Sequence, residues 1–245
     1  MNNRQLARLF HENSKQFDVE PSYTFTSKRF DHTVEYKEYE RFERLSLDLD
    51  QSNGLIDDVL EHRRSPELFD GDRCERRQLE RVLSGLKITD EKFGNGVRAY
   101  PSAGARYPNE IYLSVSEVSD IDPGVYHFNI LEECLEKICD EPIRADVYEM
   151  NGQEFVNSTA FFVILTSNFG RSTEKYGIRG YRYAYFEAGH MTQNLILCAE
   201  ATGLAARPIG GFMEDTIDEL LMLSNEETSI YMCAFGSVAE EDHDE

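Results

Sequence analysis

The sequence predicts an α+β fold in one domain, and three observations point that way. Stretches of alternating apolar residues and stretches of helical period are intermixed along the chain rather than segregated. Two of the alternating stretches, Tyr126 to Asn129 and Cys134 to Ile138, read as a hairpin around Leu131-Glu132-Glu133, so these neighbours run antiparallel. No GxGxxG follows a strand, which argues against a doubly wound dinucleotide-binding sheet.

The chain opens on a helix-like pattern from Leu6 to Phe17, apolar at Leu6, Leu9, Phe10 and Phe17. Tyr23 to Leu49 is charged, rich in Tyr and Phe, and has no sustained period. It reads as an extended arm, with a short helix around Glu38 to Leu45, that wraps the main body or a partner subunit. Leu55, Ile56, Val59 and Leu60 then repeat at helical spacing, as do Leu79, Val82, Leu83 and Leu86 before the breaker-rich FGNGV. Strands are predicted at Glu110 to Val115, Gly124 to Asn129, Cys134 to Ile138, Ala160 to Ser167 and Thr228 to Phe235. Further helices are predicted at Ile143 to Met150, Tyr183 to Thr202 and Asp215 to Leu221. The expected division is an arm at 1–50, a body at 51–239 and an acidic tail at 240–245.

Composition narrows the function. In 245 residues there are 46 acids against 25 bases, a net charge of -21. No basic face stands out, which argues against nucleic acid and anionic lipid as partners. No apolar run approaches a membrane span, and MNNRQLARLFHENSKQ lacks the apolar centre of a secretory signal. The five cysteines are odd in number and form no CxxC pair, so structural disulfides are not expected and a reducing cytoplasm is the expected compartment. The surplus of acid fits either a surface adapted to high salt or an ordinary acidic protein. No His, Cys and carboxylate grouping has metal-ligand spacing.

Chemistry concentrates in three places. The span Lys175 to Gly211 joins a Tyr/Arg-rich segment, a one-sided helix and Pro208-Ile209-Gly210-Gly211. Small residues there let a flat ligand approach the backbone, while Lys, Tyr, Arg and His can orient or protonate it. The second place is the turn Ser102-Ala103-Gly104-Ala105, bracketed by Pro101 and Pro108 and followed by a strand. The third is Arg63-Arg64-Ser65 at the end of a helical pattern. Two arginines there suit either phosphate or the negative end of the helix dipole. His190 reads more readily as a buried structural histidine than as a catalytic one.

The ordered set RRS, PSAGARYP, PGVYHF, KYGIRGYRY, EAGHMTQNL, PIGGF and AFG resembles the flavin-dependent nitroreductase-like superfamily, and within it the SagB/ThcOx-type dehydrogenases. The resemblance covers about Phe10 to Ser237 and implies a mostly antiparallel central sheet flanked by helices, in an intertwined homodimer. It implies FMN, with its phosphate at Arg63, Arg64 and Ser65. Pro101, Ser102, Ala103 and Gly104 would line the ring, commonly that of the other subunit. Ile209, Gly210 and Gly211 would pass under the ring edge, and Gln193 either reaches the cofactor or is a solvated helix residue. Lys175 and Tyr176 match a pair that assists proton removal while azolines in a modified peptide become azoles. A peptide substrate and a cyclodehydratase partner follow from that. The alternatives are an NAD(P)H-dependent reductase of nitroaromatics, quinones or enones, and a non-catalytic scaffold subunit. Two positions depart from the family pattern: Ser237 and Glu67 stand where many relatives are basic.

Overall fold

The computed structural model describes residues 3–15, 54–90 and 96–238. The helix expected around Glu38 to Leu45, most of the FGNGV breaker and the acidic tail lie outside them. The described elements, in chain order, begin with α1 (Asn3–Glu12), α2 (Leu55–His62), α3 (Arg76–Leu83), β1 (Ile88–Asp90) and β2 (Val97–Arg98). Then come β3 (Asn109–Val115), β4 (Gly124–Asn129), β5 (Cys134–Cys139), α4 (Arg144–Asn151) and β6 (Phe161–Ser167). The chain continues through α5 (Phe169–Tyr176), α6 (Arg179–Glu200), β7 (Ala205–Ile209), α7 (Glu214–Leu220) and β8 (Thr228–Gly236).

Six strands form one fully antiparallel sheet in the order β5-β4-β3-β6-β8-β7, and β1 pairs with β2 separately. This is the antiparallel central sheet flanked by helices that was expected. The sequence of β6, FFVILTS, is buried along its whole length, as a central strand covered on both faces must be. On one face Phe161, Val163 and Leu165 join Ile111, Leu113, Cys233 and Phe235 beneath α3 and α6, which contribute Leu79, Val82, Met191 and Leu195. On the other, Phe162, Ile164, Met232 and Ala234 pack against Val147 of α4 and Ile217 of α7. The rings of Phe161 and Phe235 stack across β6 and β8 with centroids 4.9 Å apart. Each such buried side chain contributes roughly 1.5–3 kcal/mol.

The five strands predicted from alternation all form, within a residue or two of their expected ends, and so does the β4–β5 hairpin. Two elements differ from the sequence reading. Residues 205–209, AARPI, form the edge strand β7 where a helix-to-strand connection was one reading. A proline is tolerated there because an edge strand leaves one row of backbone groups unpaired. Residues 169–176, FGRSTEKY, form helix α5, where no helix was predicted. Its start is capped by Asn168, whose Oδ1 accepts from Gly170 N at 3.0 Å. The α6 helix begins at Arg179, earlier than expected, because Gly180 lets it approach α5. A Cβ at that position would lie 2.6 Å from the carbonyl carbon of Ser172.

Among the described residues no helix is long and apolar enough to cross a membrane, and no three His, Cys, Asp or Glu side chains are placed to hold a metal. All five cysteines are free thiols.

Candidate functional site

The loop 101–108 connects the β1–β2 region to β3 along a strained path. Gly104, Ala105 and Tyr107 all have left-handed backbone, with φ of 59°, 53° and 43°. For Ala and Tyr this conformation costs energy and persists only when the surroundings enforce it. The enforcing contacts are identifiable. Ser102 Oγ accepts from Tyr107 N at 2.9 Å, and Ser102 O accepts from Ala105 N at 3.1 Å. Arg106 Nε donates to Arg171 O at 2.9 Å, and the Arg106 guanidinium pairs with Glu174. Arg171 in turn donates to Tyr107 O at 3.2 Å and pairs with Glu110. The loop is therefore clamped onto α5.

That clamp brings two of the predicted groups together. A Cβ built on Gly104 would lie 2.5 Å from Lys175 Nζ and closer still to Tyr176 Oη. Glycine is required here twice over, by the positive φ and by the approach of these two side chains. Lys175, near the end of α5, is exposed to solvent. Its Nζ lies 5.3 Å from the Tyr176 ring centroid. Tyr176 meets Tyr183 edge-on at 5.0 Å, and Tyr183 leads to Phe186, which is 60% exposed. An amino group, a phenol and a bare backbone thus share an aromatic-walled surface. Pro101 is exposed beside them and Ala103 is half-buried.

The second predicted group gathers at the β7 edge. Arg207 Nη1 donates to Pro66 O at 2.8 Å, and its guanidinium lies 4.3 Å over the Phe155 ring. This fixes the segment just after Arg63, Arg64 and Ser65 against β7. Arg63 is half-buried, while Arg64 and Ser65 are exposed. Arg64 donates to Glu61 O at 2.7 Å and to Arg63 O at 3.0 Å, so in this structure it caps the last turn of α2. Ile209 is buried in the core, but Gly210 is exposed and a Cβ there would meet nothing within 4 Å. Gly211 is half-buried. The bare, open backbone at Gly210 beside an arginine-rich segment suits a flat anionic ligand. Ser237, where a base was expected, donates to Asp70 Oδ1 at 2.6 Å. No hydrogen bond or ion pair among the described residues joins this group to the loop and Lys175.

Gln193 is exposed on the outer stripe of α6, and His190 beside it is exposed as well, not buried as the sequence suggested. Residue patterns alone did not single out Arg106, Arg171, Arg207 or Glu187. Glu187 carried a readable signal, since it stands one turn from Met191 on the stripe Ala184, Ala188, Met191, Leu195 that faces the core. Its burial pushes the carboxyl up to about 7, against the opposing influence of Ser102 and Arg98. Burial also pushes Glu110 up, but His127 and Arg171 outweigh it and hold that carboxyl below its ordinary value.

The sequence profile of the Nitroreductase family matches residues 60–237. A Methanocaldococcus jannaschii protein named as a nitroreductase is 34% identical over 170 residues, covering 69% of this chain and 84% of that one. The microcin B17-processing protein McbC of Escherichia coli is 29% identical over 160 residues; the match covers 63% of this chain and 58% of McbC. Among solved structures, a chain of the E. coli microcin synthetase McbBCD complex, solved with truncated pro-MccB17 bound, superimposes with a TM-score of 0.75. That superposition has 22% identity and covers 97% of this chain and 94% of that one.

Proposed function

This chain belongs to the nitroreductase family, and on that premise we propose that it is an FMN-dependent oxidoreductase of the SagB type, dehydrogenating azoline rings in a modified peptide. The observation that carries this reading is the convergence of Lys175 Nζ and Tyr176 Oη on the bare backbone of Gly104, beside an aromatic wall. Dehydrogenating an azoline removes a proton from the α-carbon and a hydride from the neighbouring ring carbon. Bound FMN supplies the hydride acceptor. The neutral amine form of Lys175 would take the proton, becoming an ammonium, and Tyr176 would orient or relay it. Arg63, Arg64 and Ser65 hold the phosphate, with Arg64 exchanging its bonds to α2 carbonyls for stronger charge-assisted ones. Ile209, Gly210 and Gly211 present the open backbone to the ring edge, and Gln193 stands on the adjoining helix face.

The loop 101–104 and the β7 edge form separate groups within one chain. In a homodimer each site would draw one group from each copy. The names of McbC and of the McbBCD complex with pro-MccB17 bound support a peptide substrate; a cyclodehydratase partner and a cytoplasmic setting belong to the same proposal. A second reading, NAD(P)H-dependent reduction of nitroaromatics, quinones or enones, is favoured by the extent of the M. jannaschii match. The scaffold reading draws on Ser237, whose hydroxyl is committed to Asp70.

The test is the visible spectrum of the purified protein with mass analysis of what heat releases, followed by turnover of an azoline peptide and of NADPH with a quinone. FMN with azoline turnover supports the proposal. FMN with NADPH oxidation alone supports the reductase, and a protein that neither carries nor takes up FMN supports the scaffold.

A further inference from the structure

Tyr100 precedes the loop that bares Gly104, and Tyr107 stands near its other end. Their rings meet edge-on, with centroids 5.9 Å apart and planes at 90°, and the two residues are 2% and 6% exposed. Arg98 of β2 joins the pair. Its guanidinium lies 4.2 Å over the Tyr107 ring, and its Nη1 donates to Tyr100 Oη at 2.7 Å. Its backbone N donates to Tyr107 Oη at 3.2 Å. One arginine thus touches both ends of the loop. The segment that carries it is itself anchored. Ala99 N donates to Lys87 O at 2.9 Å, and Asn194 Nδ2 on α6 donates to Ala99 O and to Gly85 O, each at 3.0 Å.

These contacts account for the left-handed backbone of Tyr107, φ 43°. Its N donates to Ser102 Oγ at 2.9 Å and its O accepts from Arg171 at 3.2 Å. The first bond lies within the loop and the second joins the loop to α5. The side chain makes the separate connection to β2. A guanidinium stacked on an aromatic face is attractive, and an edge-to-face ring pair adds to it. A buried ring held in this way keeps a backbone conformation that would otherwise relax. With its two ends drawn together, so short a loop presents its tip as a compact unit.

We propose that Arg98 is a positioning residue for the reacting pair: by stacking on Tyr107 and bonding Tyr100 it closes the neck of the loop, so that Gly104 at the tip meets Lys175 Nζ and Tyr176 Oη. Arg98 acts through Tyr107. The catalytic part of this inference rests on the proposed roles of Lys175 and Tyr176; the structural part does not.

Arg98→Met keeps an apolar stem and removes the fork and the flat face. In the protein without substrate, the amides of Tyr107 and Ala105, which donate to Ser102, should exchange about tenfold faster than in wild type. On an azoline peptide, kcat should fall about tenfold or more, with KM little changed and FMN content equal. Tyr107→Phe keeps the stacked ring and should retain most of kcat. Tyr107→Gly relieves the positive φ but removes the ring, and should lose as much kcat as Arg98→Met. Val147→Ala, in the core on the opposite face of the sheet, lowers the thermal midpoint without touching the loop and should leave kcat unchanged.

Unchanged exchange of the Tyr107 and Ala105 amides in Arg98→Met overturns the proposal, and so does full turnover by Tyr107→Gly. A loss of kcat in Val147→Ala as large as in Arg98→Met would reduce the effect to stability and overturn it as well. If exchange quickens as expected but wild type turns over no azoline, the assignment of the reaction fails and the closing of the loop by Arg98 stands.

Discussion

The Arg106 guanidinium pairs with the carboxylate of Glu174, the residue immediately before Lys175. The loop that bares Gly104 and the helix that ends in Lys175 are thereby joined at their tips. This pair is largely exposed, so it contributes at most about 1 kcal/mol to stability. Its effect on geometry is larger. Arg106→Ala should shift the thermal midpoint by only a few degrees while lowering turnover about tenfold. A double-mutant cycle with Glu174→Ala should show strong coupling in kcat; additive effects on kcat would mean that the pair does not set the geometry.

Lys175→Ala should lower kcat on an azoline peptide by about 10²- to 10³-fold with FMN content unchanged. Tyr176→Phe removes only the hydroxyl and should cost less. Gly104→Ala would displace both side chains and add the strain of a positive φ, roughly 1 kcal/mol. It should therefore resemble Lys175→Ala in turnover while still folding. Full activity in Lys175→Ala would remove this residue from the mechanism.

His11 is 4% exposed between Tyr181 and Thr228, each 3.2 Å from a ring nitrogen. Thr228 donates to Asp218 at 2.7 Å, so its oxygen accepts from Nε2 and the neutral ring suits the site. Burial and then Lys15 lower the His11 pKa from 6.5 to about 4, against Glu12 and Asp215. The unfolded state therefore binds the proton first as pH falls, and stability present above pH 6.5 is lost toward pH 4, on the order of 3 kcal/mol in all. Docking of α1 should weaken over this window, read as rising proteolysis of the first fifteen residues. An arm equally protected at pH 7 and pH 4.5 would contradict this account.

Arg207→Ala removes the bond to Pro66 O and the stacking over Phe155. The loss should be about 1–2 kcal/mol in stability. FMN affinity should fall with it, because the segment following Arg63, Arg64 and Ser65 loses its anchor. Arg207→Lys should rescue little, since an ammonium reproduces neither the fork nor the flat face. Unchanged FMN affinity, measured by fluorescence titration, would separate this segment from the cofactor site.

The sheet was largely legible in sequence because its strands carry their own signal. Ile111, Leu113 and Val115 alternate, and FFVILTS is apolar without interruption. Helix α5 was not legible, since FGRSTEKY has one apolar residue per turn at best and ends at Gly177. Strand β7 was hidden by its proline, which is compatible with pairing only at a sheet edge. The site residues were legible as a set of types, but their grouping was not. Nothing local places Gly104 against residues seventy positions later. The clamp that does so uses Arg106 and Arg171, whose roles exist only after α5 folds against the loop. Glu187 was legible on the helical wheel and overlooked because carboxylates are expected outside.

The position of β7 bears on how an extended chain could be recruited. A bare sheet edge invites a peptide to join as an extra strand, with its main chain read regardless of side chains. Here Pro208 leaves β7 short of one amide, and Arg207 of the same strand donates to Pro66 O. At the opposite margin β5 presents Glu136 and Lys137, charges that discourage the same approach. Among the described residues, both margins of the sheet thus carry features that disfavour strand addition. If the substrate is a peptide, as proposed, its side chains or modified rings rather than an added strand would select it.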